Sequence, residues 1–204
     1  MGLLKPRQDG APAPLHRERD ALLAQLAAAS AAQRAEAAGF LADYRDSAEP
    51  LLAALAREGE SAVRRRILST LVSWRDPAPI AALVARLRQV DGVSRNEIMD
   101  ALRDVGGPVE REVPSLLAAS DPDLRLYAFT VLRAQRSAQV LGWIEETLAH
   151  ETDANVAAAA LELLAQIGTP AEHAWLEAPG VRFADVPFIQ FAIAAVARRT
   201  GTPA

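Results

Sequence analysis

The chain has 204 residues, half of them hydrophobic, with 22 basic side chains against 26 acidic ones and a formal net charge of −4. It contains no cysteine, which excludes disulfides, thiol nucleophiles and thiolate metal sites. The acidic balance argues against nucleic acid, which needs concentrated basic surface, and no apolar run reaches the roughly 18 residues that span a bilayer.

Residues 1–14 carry Gly2, Pro6, Gly10, Pro12 and Pro14 and are expected to form an irregular arm. They lack an apolar stretch of signal-peptide length, so a cytoplasmic location is expected. From residue 15 to residue 204 we expect one domain, without a linker. Alanine and leucine dominate it, and both rank high in helix propensity. The predicted helices fall in pairs: 15–29 with 31–45, 49–57 with 61–74, 78–89 with 94–105, 108–119 with 122–135, 138–149 with 153–167, and 170–177 with 185–199. Asp76-Pro77, Asp91-Gly92, Gly106-Gly107-Pro108, Asp121-Pro122 and Gly168-Thr169-Pro170 punctuate them, as helix stops or starts.

The second helices repeat a common stripe. Leu41, Leu71, Leu102, Leu132, Leu164 and Val196 follow one another at gaps of 30, 31, 30, 32 and 32 residues. Four residues upstream of each lie Ala37, Ile67, Ile98, Ala128, Ala160 and Ala192; eight upstream lie Gln33, Val63, Ser94, Leu124, Val156 and Phe188. Positions four and eight apart share a helix face, so six buried stripes are expected. A fixed period near thirty predicts an all-α superhelix, an α-solenoid of about six antiparallel helix pairs.

Two units carry a more specific pattern. Asp121-Pro122-Asp123-Leu124-Arg125-Leu126-Tyr127-Ala128 precedes Leu132, and Ser61-Ala62-Val63-Arg64-Arg65-Arg66-Ile67 precedes Leu71. This arrangement, over residues 30–200, resembles the HEAT repeat in its short-period form, the kind found in phycobilisome lyases and many bacterial scaffold proteins. It lacks the signatures of tetratricopeptide and ankyrin repeats.

Arg34, Arg64, Arg95 and Arg125 share the register immediately after the first stripe position, while Ala157 and Ile189 break it. A planar guanidinium suits carboxylate or phosphate, so the row could form an anion track. The resemblance implies a structural ladder instead, in which each arginine bonds an acid or carbonyl in the preceding turn and ties repeats together. Glu60, Asp91 and Asp121 are the acids suitably upstream.

Solenoids bind partners along a concave surface. If second helices line it, Arg65, Asn96 and Asp100, with Tyr127 alongside, are the candidate contact residues for another protein, since Tyr and Arg are common interface anchors. The last helix is apolar nearly all round, from Phe188 through Ile189, Phe191 and Ile193. Such a helix is normally covered on more than one side. Either the preceding segment folds over it through Phe183, or Phe188 and Phe191 mediate partner docking or a homodimer.

Catalytic constellations are sparse. His16, His150 and His173 are the histidines. The single His150-Glu151 pair is similar to the iron-binding pairs of deoxyhypusine hydroxylase, but that family uses several. Trp74 and Trp143 fall on apolar registers and are expected in the core, unlike the tryptophan of HEAT-like DNA glycosylases. No cofactor or metal is expected. The reading is a non-catalytic protein-interaction scaffold, adaptor or regulatory subunit. Its alternative is a bilin-lyase-like subunit handling an anionic tetrapyrrole, with propionates meeting Arg64 or Arg95.

Overall fold

The computed structural model describes residues 14–133 and 139–201. The expected N-terminal arm, apart from Pro14, lies outside the described residues. Helix pairs follow one another throughout, and no strand occurs among the described residues. The first pair is α1 (Pro14–Gln25) and α2 (Ala31–Phe40), the second α3 (Ala48–Arg57) and α4 (Ser61–Ser73), the third α5 (Pro77–Arg86) and α6 (Gly92–Leu102). The fourth joins a broken first member, α7 (Gly107–Glu110) and α8 (Val113–Leu117), to α9 (Pro122–Leu132). The fifth is α10 (Gln139–His150) and α11 (Ala154–Ile167). The sixth begins with a 3-10 segment (Pro170–Leu176), runs on into α12 (Glu177–Arg182) and closes with α13 (Pro187–Thr200).

The second members form one row. α4 packs between α2 and α6, and α11 packs between α9 and α13. On the other row α5 lies against α3 and α7, and α12 against α10. The architecture is an all-α solenoid. No helix among the described residues is long and apolar enough to cross a membrane.

The repeated stripe is the physical cause of this stacking. Leu41, Leu71, Leu102, Leu132, Leu164 and Val196 are all buried in one continuous core, and each leucine so buried contributes about 2 kcal/mol. Polar groups hold the same spacing. Thr70 donates its hydroxyl to the carbonyl of Ala38 at 2.8 Å and the Trp74 indole donates to that of Ala42 at 2.7 Å, each reaching 32 residues back. Trp74 is therefore a core residue with its N–H satisfied, as buried indoles require.

Three expectations change. The helix expected over 108–119 is broken, because Pro114 lacks an N–H and its ring would clash with the carbonyl four residues back; α7 accordingly ends at Glu110. In the sixth unit Ile189 is buried in place of Phe188, a slip of one position. The connection expected between the helices 170–177 and 185–199 is helical as far as Arg182, and Phe183 just beyond it is buried. α13 closes on Gly201, whose φ of 79° is the left-handed conformation that glycine adopts without penalty.

Candidate interaction surfaces

Each ladder arginine leaves the first turn or two of a second helix and is held from two directions. Arg34 donates through Nε and Nη2 to both oxygens of Glu58, at 2.7 and 2.9 Å, and through Nη1 to the carbonyls of Ala28 and Ala29. Arg125 repeats this with Glu151 at 2.8 and 2.9 Å and with the carbonyls of Ala119 and Ser120. Arg64 forks onto Glu97 at 2.6 and 3.1 Å and reaches the carbonyls of Glu58 and Gly59. Arg95 bonds Asp121 at 2.8 Å and the carbonyl of Leu87 at 3.2 Å.

The geometry is that of a clamp. Carbonyls come from the turn of the arginine's own unit and the carboxylate from the next unit. The acids therefore lie downstream of their arginines, not upstream. Glu60 and Asp91 do not serve: Asp91 instead caps α6 by accepting the N–H of Ser94 at 2.9 Å. Asp121 serves Arg95, not Arg125. The second rung is irregular: Gln89 stands in the register of Glu58 and Glu151, six residues before the next ladder position, and Glu97 on α6 supplies the acid instead, bonded also by Ser61.

The carboxylates respond to this setting. The Arg34 guanidinium holds Glu58 below the ordinary carboxylate range, and Arg64 does the same to Glu97. Burial pushes Glu151 up, but Arg125 and the backbone N–H groups of Asp153 and Thr152 outweigh it, so its value is also lowered. All four guanidiniums are engaged by the chain's own acids, and the row is not an open anion track.

A fifth rung has a different origin. Ala157, where the next arginine would stand, is buried. Arg182 at the end of α12 reaches back instead to the carbonyls of Leu148, Ala149 and Glu151. The sequence signal for it is a basic residue in a last helical turn rather than in the ladder register.

The expected contact patch divides. Arg65 and Asn96 are exposed, and so is Asp100, which pairs with Arg103 at 2.5 Å. Tyr127 is only 3% exposed, a correction to the expected patch. Its ring turns toward α6, where the hydroxyl donates to the carbonyl of Met99 at 3.4 Å, and burial pushes its phenol upward. The surface signal from aromatic type was overridden by packing between repeats.

Phe188 and Phe191 behave differently. They are 49% and 71% exposed on α13, whereas Ile189 and Val196 of the same helix are buried. The α12 segment covers only one side of that helix, and Gln190 secures it by donating to the carbonyls of Gly180 and Phe183 at 3.2 and 2.9 Å. Arg198 lies over the Phe191 ring, 5.9 Å from its centroid.

One surface escaped the sequence reading. Two grooves of about 630 and 1010 Å³ share Pro114 and Trp143 as walls. Trp143 is half-buried, although Val140, Ile144 and Leu148 of the same helix are fully enclosed. The wider groove carries Arg75 and Arg111, and Arg75 has a φ of 53°, a left-handed conformation costly outside glycine. The trough lies where Pro114 interrupts the first-helix row.

His150 is exposed beside Glu146, whereas Glu151 is the ladder acid. His173 is half-buried and its Nε2 meets the Thr200 hydroxyl. The side chain of His16 lies outside the described residues. No cluster of three metal-ligating side chains occurs among the described residues.

No protein-family model matches the chain, and no curated protein does. Among solved structures it is similar to the crystal structure of an engineered protein, with 19% identity over 90% of this chain and 96% of that one, at a TM-score of 0.42. It is also similar to the complex of CpcE and CpcF of phycocyanin lyase from Nostoc sp. PCC7120. That match has 16% identity over 100% of this chain and 94% of the other, at a TM-score of 0.39.

Proposed function

We propose that this chain is a protein-binding solenoid that works as a scaffold or adaptor, and that the outer face of α13 is its main docking surface. The observation that carries this is the exposure of Phe188 and Phe191 on a helix anchored by the buried Ile189 and Val196. The exposed face is aromatic, and paired exposed aromatics mark interaction sites. The clamped turns behind it hold the repeats in one arrangement, so the surface is presented without an ordering cost. Arg65, Asn96 and Asp100 offer a second, polar contact area on the row of second helices.

Site-specific photocrosslinking in the cells that make the protein tests this. A benzophenone side chain at position 191 is expected to yield adducts with a polypeptide, while one at the exposed Gln33 does not. Equal labelling at both positions, or none at 191, overturns the reading.

A second reading, handling of an anionic tetrapyrrole, is favoured by the trough, where Trp143 offers an aromatic wall and Arg75 and Arg111 offer charge. Arg64 and Arg95 do not supply that charge, being held by Glu97 and Asp121. Titrating a bilin into the protein distinguishes the two: a visible absorbance change lost on Trp143→Ala supports the second reading, and an unchanged spectrum removes it.

A further inference from the structure

We infer that the occupant of the α13 face is a second copy of this chain, packed antiparallel along α13. This rests on the docking reading above and names its partner. Phe188, Phe191, Ala195 and Arg198 follow at spacings of three, four and three along the helix, the seam spacing by which two helices pack side by side. Aromatic groups occupy one half of the seam and a small residue the other. An antiparallel copy centred between Phe191 and Ala192 seats Phe188 over the partner's Ala195 and sets the two Phe191 rings next to each other. The large side chain of each copy then fills the space that the small one leaves.

Charge completes the match. Asp185 flanks the N-terminal end of α13, and Arg198 and Arg199 lie in its last turn. In the antiparallel arrangement Asp185 faces the partner's Arg198, and the same contact recurs by two-fold symmetry, as an isologous interface requires. An acidic amphipathic peptide would satisfy Arg198 but bring like charge to Asp185. A basic one would do the reverse. Only a segment with both signs in the opposite order suits both ends, and a second copy has it.

Light scattering coupled to gel filtration, from about 1 to about 100 µM, tests this with charge reversals. The wild type is expected to shift from 21.8 kDa toward twice that mass as concentration rises. Asp185→Arg and Arg198→Asp, each made alone, set like charges against each other twice and weaken self-association about tenfold. Mixing the two variants in equal amounts restores a dimer, because every contact again joins opposite charges. Both positions are exposed, so the variants are expected to keep the wild-type circular dichroism spectrum. A wild type that stays at 21.8 kDa throughout, or a mixture that remains monomeric, overturns the inference. The broader docking reading fails separately, in the crosslinking at position 191, where a heterologous adduct upholds it even if the chain does not self-associate.

Discussion

The turns between the helices and the outer face of the last helix treat their functional groups in opposite ways. Inside the stack Arg34, Arg64, Arg95 and Arg125 are each held by carbonyls of their own unit and a carboxylate of the next. On α13 Phe188 and Phe191 are left exposed by the described units. A periodic fold satisfies its interior groups by neighbour-to-neighbour contacts, so an apolar face that the described units leave uncovered is available for another molecule. Charge is the internal joint in this solenoid, and apolar surface is what it presents.

Substitutions can break that contrast. The largest loss is expected from Glu151→Ala, which strands a half-buried guanidinium and leaves the N–H groups of Thr152 and Asp153 without their acceptor. Urea unfolding is expected to show about 3 kcal/mol of destabilisation; a loss below about 0.5 kcal/mol, the usual size for a surface change, would mean that the clamp is ornamental. Gly168→Ala comes next. A methyl group there would lie 2.6 Å from the carbonyl oxygen and 2.8 Å from Cδ1 of Leu164, and the forced shift is expected to cost about 2 kcal/mol. An unchanged thermal midpoint would show that α11 yields to it freely.

Glu97→Gln keeps the shape of the second rung but removes its charge, and about 1 kcal/mol is expected to be lost at neutral pH. This effect has a pH signature. Glu58, Glu97 and Glu151 are all held below the ordinary glutamate value of 4.5. A depressed folded-state value gives stability that is fully present above the unfolded value and lost as pH falls through the folded one. Urea midpoints are therefore expected to stay level from about pH 7 to about pH 5 and to fall in more acidic buffer. Glu97→Gln starts lower and falls less. Parallel curves for the two proteins would remove Glu97 from the account.

Much of this arrangement was legible in advance, for a physical reason. Packing between repeats demands the same apolar residue at the same helical phase, so Leu41 through Leu164 announce the fold by spacing alone. The arginine register was equally visible, but its acids were not. Whether a carboxylate lies in the preceding or following unit depends on the direction in which the guanidinium leaves the helix, and spacing carries no such direction. Tyr127 and Phe188 show the other limit. Both sit within one position of a stripe residue, and a rotation of about 100° per residue decides which side chain enters the core. The trough at Trp143 depends on a helix break at Pro114, which the proline signalled but the expected continuous helix 108–119 overrode.

The most direct test of the contrast is equilibrium urea unfolding of Phe188→Glu/Phe191→Glu beside the wild type, at a concentration low enough to keep chains separate. If the outer face of α13 is surface held ready for a partner, the double variant keeps the wild-type midpoint and loses less than about 0.5 kcal/mol. A loss of several kcal/mol, of the size that accompanies charge introduced into a core, would place both phenylalanines inside the fold and contradict the account.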